Sequence, residues 1–198
     1  NNSKNRQVGT VNTANPRAYQ DEDGRRKRGN PNGHILRFRE LGGQAQALGF
    51  VWDIFLFGAE EDMPAHVNVS QLSAANAFSA PDGVWFSPTT GILWIQTDDG
   101  AMTDESNCVM LAAIAGEVGD GGAVTIQNDF NGAQGAQTTF VGALLGESRL
   151  RRFLVTPKGA EITGLTETAD GRTLLVNIQH PGEKSKGLAQ RSPLQSHW

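Results

Sequence analysis

Only one of the 198 residues, Cys108, is a cysteine, so the chain cannot form an internal disulfide. No run approaches the roughly 18 consecutive apolar residues that cross a bilayer as a helix, and no charged stretch followed by an apolar core marks a signal peptide. Basic residues are not in excess, because 17 Lys and Arg stand against 21 Asp and Glu. A nucleic-acid-binding domain normally carries a basic face. We therefore expect neither a nucleic acid nor a membrane as partner.

Several short catalytic signatures are also missing. The chain has no Gly-x-Ser-x-Gly motif of serine hydrolases, no His-Glu-x-x-His zinc motif and no Gly-Lys-Ser/Thr phosphate loop. Residues 119–122 (Gly-Asp-Gly-Gly) resemble part of a calcium loop but lack its alternating oxygen ligands and its later glutamate. Cys108 lies in an apolar segment with no activating neighbour, so we expect a buried, inert thiol.

The composition fits a folded domain, since 38% of the residues are hydrophobic and 19% are charged. The length fits a single domain, which we assign to residues 1–198. A basic run at residues 25–28 lies between two prolines, and we expect it in a solvated loop. The chain begins Asn1-Asn2-Ser3 without a methionine, and we expect it to be part of a longer protein.

The apolar pattern indicates short β-strands and no long helix. Each candidate strand alternates apolar with polar residues or is rich in aromatic and β-branched residues, and turn residues separate the strands. The candidates are residues 33–40, 50–57, 84–86, 92–97, 108–114, 152–155, 162–166 and 173–178. Residues 116–146 are rich in Gly, Ala, Gln and Asn, and we expect a surface loop there with at most a short strand at 124–126. The sequence thus predicts an antiparallel all-β fold.

A weak internal repeat narrows the architecture. Residues 82–97 and 163–178 each consist of a strand, a polar turn with a glycine, and a second strand. Gly91 and Gly171 close the turns predicted at residues 88–91 and 169–171, where a positive φ is commonly needed. Repeated units of this kind build the blades of a β-propeller. A β-sandwich would give similar strand spacing and stays open as an alternative.

Polar residues that could perform chemistry lie at the ends of these strands. In an antiparallel blade, the start of the first strand and the end of the second lie at the same end. The residues at those ends are Asp82, Asp98, Lys158, Glu161, Gln179 and His180. Convergent carboxylates suit a hard cation, and a lysine beside them suits a phosphate oxygen or the charge that develops in a transition state. We therefore expect these side chains at one mouth of the propeller channel.

Simpler explanations apply to some of these residues when each is taken alone. An aspartate before a glycine, as at Asp82, most often forms a turn. Lys158, in Thr-Pro-Lys-Gly, would by itself be a solvated turn residue. Trp85 and Trp94 are better explained as core residues than as a platform for substrate.

Several segments resemble the PhoX-type bacterial alkaline phosphatases. The likeness runs in order through residues 14–17 (Ala-Asn-Pro-Arg), 32–40, 50–55, 81–86 and 93–98. It is strongest over residues 152–164, which contain Thr-Pro-Lys-Gly-Ala-Glu, and over residues 170–183, which end in Gln-His-Pro-Gly-Glu. The chain thus resembles the C-terminal part of that family.

The resemblance implies a six-bladed β-propeller, of which this chain would form about two blades and parts of their neighbours, completed by the remainder of the same propeller. It implies a periplasmic or extracellular enzyme, exported by the twin-arginine route, that hydrolyses phosphomonoesters with an iron and calcium cluster on the propeller axis. Asp82 matches a metal-ligating aspartate, and Lys158 matches a lysine that contacts the substrate phosphate. Glu161 and Asp98 lie in the same motifs and would be metal ligands or their neighbours.

The chain departs from the family pattern in ways that affect activity. The family often has a cysteine where this chain has Ala160. The family's Arg-Pro-Glu segment and its iron-ligating cysteine lie before the Asn-Asn-Ser with which this chain opens, and Cys108 does not match that cysteine. The chain also stops at Trp198, where family members continue. We therefore expect little or no phosphatase activity from the chain alone. A calcium-dependent lactonase-type propeller and a catalytically inactive propeller binding module are the alternatives.

Overall fold

The computed structural model describes residues 8–21, 28–130 and 132–182. Nearly all of its regular structure is β, and the longest α-helix in these ranges has four residues. None of the helices in these ranges is both long and apolar enough to span a bilayer. The prediction of an all-β fold is confirmed.

Twelve strands follow one another through the described residues. The first six are β1 (Tyr19–Gln20), β2 (Arg28–Gly29), β3 (His34–Glu40), β4 (Phe50–Phe57), β5 (Pro81–Phe86) and β6 (Leu93–Thr97). The others are β7 (Val109–Ala113), β8 (Ala123–Phe130), β9 (Ala133–Phe140), β10 (Leu150–Val155), β11 (Glu161–Glu167) and β12 (Leu174–Gln179), with helix α1 (Gly146–Arg149) between β9 and β10. Short 3-10 helices span Val8–Thr10 and Leu41–Gly43. Every segment predicted as a strand is one, with bounds that differ by at most a few residues.

Four strands form one antiparallel sheet in the order β10-β7-β6-β5. β5, β6 and β7 are consecutive in the chain, and β10 pairs with β7 after the chain has formed β8 and β9. The central strand β6 is buried along its whole length, whereas the edge strand β5 alternates between half-buried and exposed residues. Because β6 begins with three consecutive apolar residues, both of its faces can be covered.

The remaining strands pair as hairpins, β3 with β4, β8 with β9, and β11 with β12, and the short β1 pairs with β2. The β5–β6 and β11–β12 hairpins have the predicted turns. The Ser87 N–H donates to the Ile92 carbonyl (2.9 Å), and the Gly171 N–H donates to the Thr168 carbonyl (2.8 Å). Gly91 and Gly171 have φ values of 70° and 67°, which favour glycine. Both turn predictions are confirmed.

Packed side chains cover both faces of the four-stranded sheet. On one face, Ile95 of β6 packs into the main core with Phe55 of β4. On the other face, Trp94 packs against Ile162 of β11, and Trp85 is partly buried against the same cluster. The tryptophans therefore belong to the core, as predicted. The β11–β12 hairpin is held against the sheet by this second cluster.

The segment 116–146 is not the surface loop that the sequence predicts. It contains two eight-residue strands, β8 and β9. The buried positions of β8 include Asn128, whose Oδ1 accepts the Ala18 N–H (2.7 Å) and whose Nδ2 donates to the Pro16 carbonyl (2.8 Å). The sequence does not indicate this hairpin, because Gly, Gln and Asn have low strand propensity and because the buried position 128 of β8 carries an amide side chain.

The described strands do not close into a ring. They form one four-stranded antiparallel sheet and several two-stranded ones. The propeller is therefore not confirmed and stays a prediction. Residues 25–27 of the basic run and residues 183–198 at the chain end lie outside the described residues.

Candidate functional site

Six strand ends meet at one side of the molecule: the starts of β5, β7 and β11 and the ends of β6, β10 and β12. The paired residues there are Pro81 and Thr97, Val109 and Val155, and Glu161 and Gln179. The loops that leave these ends line an open cavity of about 420 Å³. Five of the six residues selected from the sequence line it: Asp98, Lys158, Glu161, Gln179 and His180.

The carboxyl groups of Glu161 and Asp98 touch in this cavity. Partial burial, a hydrogen bond with Asp98 and the negative charge of Asp98 together raise the pKa of Glu161. The charge of Asp82 raises it further, while His180 opposes these effects. Two acids in hydrogen-bond contact repel each other when both are ionised, and a bound cation would remove that repulsion.

Asp82 lies at the edge of this arrangement. It does not line the cavity, and its side chain is exposed, but its charge acts on Glu161. The pairing of β5 with β6 shifts register between Pro81 and Gly83, so Asp82 occupies a β-bulge. Bulges re-aim side chains and are common beside functional sites. The bulge turns Asp82 out of the regular ladder at the end where the acids meet.

Lys158 is carried by a tight turn between β10 and β11. The Ala160 N–H donates to the Pro157 carbonyl (3.1 Å), and Gly159 has a φ of 78°. The Thr156 hydroxyl contacts the Ala160 carbonyl (2.9 Å) and also the carbonyl of the residue before β7 (3.1 Å). Lys158 is thus an exposed turn residue, as the simpler explanation holds, on a turn that is fixed at the rim of the cavity.

Cys108 closes part of the cavity wall. Its side chain is buried, and its sulfur accepts the Asp99 N–H (3.2 Å). Burial raises the pKa of the Cys108 thiol to about 11. The thiolate, which is the form that binds metals and attacks substrates, is therefore disfavoured at neutral pH. The prediction of a buried, inert cysteine is confirmed. Ala160, where the resembling family often has cysteine, lines the same cavity and is buried.

The sequence argument missed the loop between β6 and β7. Asp99, Ser106 and Asn107 line the cavity. The Asp99 carboxylate accepts the N–H groups of Ala101 (2.9 Å) and Met102 (3.1 Å), so it shapes the loop. In an antiparallel sheet, the start of β7 lies beside the end of β6. Applying the strand-end rule to β7 as well would have indicated residues 106–108 as part of the site.

The segment 14–17 and the start of β3 form a separate, buried polar cluster. Arg17 is fully buried and donates to the carbonyls of Gly58 (3.0 Å) and Gly33 (2.6 Å) and to Asn30 Oδ1 (2.7 Å). Asn30 Nδ2 therefore faces His34 Nδ1 (2.8 Å) as a donor, which requires a neutral imidazole. Burial and the charge of Arg17 lower the pKa of His34 to about 4. These contacts give the cluster a structural role.

The Gly-Asp-Gly-Gly segment at residues 119–122 is a structural turn. Asp120 forms an ion pair with Arg37 (2.9 Å) and accepts the N–H groups of Glu117 (3.0 Å) and Ala143 (2.7 Å). Arg37 also pairs with Asp53, which is fully buried on β4. The carboxylate of Asp120 thus ties this turn to the β3–β4 hairpin.

The cavity residues fit a hard cation in kind. Asp98 and Glu161 offer carboxylate oxygens, the ligands that Ca²⁺ prefers, and Asp82 is within electrostatic reach. Within the described ranges, however, no three His, Cys, Asp or Glu side chains lie close enough to enclose a metal ion. Because Ca²⁺ takes 6–8 oxygen ligands, these carboxylates would supply only part of a coordination shell. They fit calcium, and iron would find no thiolate or imidazole set among them.

Comparison with known proteins gives one family. The family model described as alkaline phosphatase PhoX matches residues 1–182. No curated protein and no solved structure matches the chain.

Proposed function

Because this chain belongs to the PhoX alkaline phosphatase family, we propose that it carries part of the active site of a metal-dependent enzyme that hydrolyses phosphomonoesters. Membership supports an alkaline-phosphatase-like function in general terms. The observation that carries the finer proposal is the cavity that Lys158 lines together with the touching carboxyl groups of Asp98 and Glu161. A phosphomonoester carries a charge of about −1.5 to −2 at neutral pH, so Lys158 and cations held by the acids would both favour its binding.

In this proposal the carboxylates hold the cations. Asp98 and Glu161 would bind calcium, and Asp82 would join them from its bulge. The resemblance also implies iron, whose ligands these carboxylates would not supply. When bound, such cations polarise the phosphoryl group and lower the pKa of water. The protein's own contribution is the placement of these side chains. The touching carboxyl groups of Asp98 and Glu161 repel each other when both are ionised, and a bound cation would remove that repulsion.

Lys158 would contact the phosphate oxygens. Its ammonium group acts as a point charge, and a lysine at the tip of a fixed turn can follow the phosphoryl group as charge develops on it. Because the turn between Pro157 and Ala160 is hydrogen-bonded and anchored through Thr156, the backbone of Lys158 is held in place at the cavity. A lactonase, whose substrate lacks this charge, would have no use for Lys158.

The six-bladed propeller is part of the proposal. Antiparallel pairing of β5, β6, β7 and β10 is the strand arrangement of one blade. Trp94 of β6 is covered by the β11–β12 hairpin. Leu175 occupies in β12 the position that Trp94 occupies in β6, and it is 59% exposed. In a ring, a further sheet of the same propeller would cover Leu175. Export to the periplasm or the cell exterior belongs to the proposal through the resemblance alone.

Calorimetric titration with Ca²⁺ and then with inorganic phosphate tests this function. We expect calcium to bind, and phosphate to bind only to the calcium-loaded chain. D98N and E161Q should each weaken calcium binding. D129N removes a carboxylate from β8, outside the cavity, and should leave it unchanged. Absence of calcium binding, or equal loss in D129N, would contradict the assignment.

The activity of the chain alone is a separate measurement. Two or three carboxylates leave most of a cation's ligand positions to other groups, and phosphate would be held by one lysine. We therefore expect little or no hydrolysis of p-nitrophenyl phosphate by the 198-residue chain. Robust turnover would show that these residues suffice as a site.

A further inference from the structure

His180 is the residue that follows β12, and it lines the same cavity as Lys158 and Glu161. We infer that His180 is a substrate-positioning residue of this site, whose imidazole donates a hydrogen bond to a phosphate oxygen of a bound phosphomonoester. The inference rests on the proposed function and deepens it. Three features of His180 carry it: its backbone conformation, its contact with Gln179 and its place on the cavity rim.

The backbone of His180 is held in an unfavourable conformation. Its φ is 58°, in the left-handed region, and the next residue is Pro181, which further restricts the residue before it. The other non-glycine residues with positive φ in the described ranges are Gln71 and Ala80. Side chains in such conformations persist where the surrounding structure holds them, and they cluster at ligand sites. A glycine would adopt this φ without strain, so the imidazole at this position has a cost that a ligand contact would offset.

The side chain of Gln179 orients this imidazole. Gln179 Nε2 lies 2.5 Å from His180 Nε2. An amide nitrogen can only donate, so His180 Nε2 is the acceptor in this contact and Nδ1 is the ring nitrogen that carries the N–H. The ring therefore carries a donor N–H. Phosphate oxygens are acceptors only, and they match this donor.

The place of His180 on the cavity rim fits a phosphate between it and the acids. His180, directly after β12, and Glu161, at the start of β11, line the same cavity. Glu161 pairs with Gln179 across the hairpin, so the imidazole emerges next to the proposed cation ligands. Lys158 lies on the turn that leads into Glu161. A phosphate that contacts a cation at Glu161 would thus have Lys158 and His180 among the donors that line the cavity around it.

Two substitutions separate positioning from a purely structural role. H180G removes the imidazole and also the backbone strain, and H180N keeps a side-chain donor in a residue that tolerates positive φ. The measurements are the affinity of the calcium-loaded chain for inorganic phosphate, followed by ³¹P NMR, and the melting temperature. Q71G relieves the same kind of strain at a residue outside this cavity and is the matched control.

We expect H180G to bind inorganic phosphate about tenfold more weakly, the loss of one hydrogen bond to a charged group, with an unchanged or higher melting temperature. H180N should stay within about threefold of the unmodified chain, and Q71G should bind phosphate as the unmodified chain does. If H180G binds phosphate normally and is only more stable, His180 is a turn residue and the inference is wrong. Failure of the unmodified chain to bind phosphate would instead overturn the proposed function, and the inference with it.

Discussion

The hairpins β5–β6 and β11–β12 are built alike. Both have a glycine near the start of the first strand that faces an amide side chain of the second. A Cβ atom added at Gly83 would lie 2.7 Å from Gln96 Oε1, and one added at Gly164 would lie 2.7 Å from Asn177 Nδ2. These pairs occupy equivalent places, because each second-strand residue follows its glycine by the same interval. The weak internal repeat in the sequence therefore reflects the same hairpin made twice.

Their connections have the same length, but the turn glycine lies one position earlier in the second hairpin. The strands are equivalent at a spacing of 81 positions, as Gly83 and Gly164 show, whereas the turn glycines Gly91 and Gly171 are 80 apart. The Gly91 N–H accordingly bonds the carbonyl four residues before it, and the Gly171 N–H bonds the carbonyl three residues before it. Both solutions need a residue with positive φ. A loosely conserved motif can thus specify a hairpin without specifying one turn geometry.

Their surroundings differ more. β6 is extended by β7 and is buried, while β12 has no third strand among the described residues and alternates between half-buried and exposed. The Glu167 carboxylate, at the turn end of β11, accepts from the Ser87 hydroxyl (2.9 Å) and from the Thr89 N–H (3.3 Å), so it joins the two turns. The comparison shows that the hairpin is a local property and that burial depends on what packs against it.

The largest effect is expected from a pair of substitutions, W94A and L175A, that test this difference in burial. Trp94 and Leu175 are equivalent by register, but Trp94 is 6% exposed and Leu175 is 59% exposed. W94A should lower the free energy of unfolding by about 3–5 kcal/mol, since it empties the space between the sheet and the β11–β12 hairpin. L175A should cost less than about 0.5 kcal/mol, as for surface sites. Urea unfolding measures both, and a large loss in L175A would mean that its face is covered in solution, for example by a second chain.

Replacing the turn glycines should lower the stability by a smaller amount, which is expected to differ between the two turns. G91A meets open space and has only the left-handed backbone to accommodate, which costs about 1–2 kcal/mol. G171A has the same backbone cost, and its new Cβ would lie 2.5 Å from Thr89 Cγ2. We expect this crowding to add about 1–3 kcal/mol. Equal losses in urea unfolding would mean that Thr89 moves away freely and that the turns are not packed together.

The sequence revealed what is local. The alternation of apolar and polar residues and the turn glycines were sufficient to predict the strands. The rule that paired antiparallel strands share their ends was sufficient to predict that Asp98, Lys158 and Glu161 lie together. Contacts between distant segments were not readable. The Asn128 side chain holds residues 16–18 through hydrogen bonds to their backbone. No hydrophobic pattern indicates such bonds, so the sequence predicts a loop where β8 and β9 form. The bulge at Asp82 likewise depends on strand pairing, and Asp82 does not line the cavity.

A third prediction distinguishes the roles of one residue from each hairpin region. D82N should weaken calcium binding, because a neutral amide loses the charge that hard cations favour. K158A should leave calcium affinity unchanged and weaken inorganic phosphate binding about tenfold, for one lost charged contact. Calorimetry with both ions separates the two patterns. Loss of calcium in K158A would show that the roles are assigned wrongly.

The smallest effect is expected from a substitution, Q179E, that makes the second hairpin resemble the first at the cavity. Asp98 of the first hairpin is equivalent by register to Gln179 of the second, which pairs with Glu161. Q179E would place two carboxylates directly opposite each other, so the calcium-free chain should lose about 0.2–1 kcal/mol of stability. Added Ca²⁺ should reverse that loss and bind more tightly than to the unmodified chain, because a further carboxylate then lies next to those of Asp98 and Glu161. N177D adds the same charge two residues earlier, opposite Gly164 rather than an acid, and should show neither effect. If calcium fails to restore the stability of Q179E in thermal unfolding, the carboxylates at this end of the strands do not form a cation site.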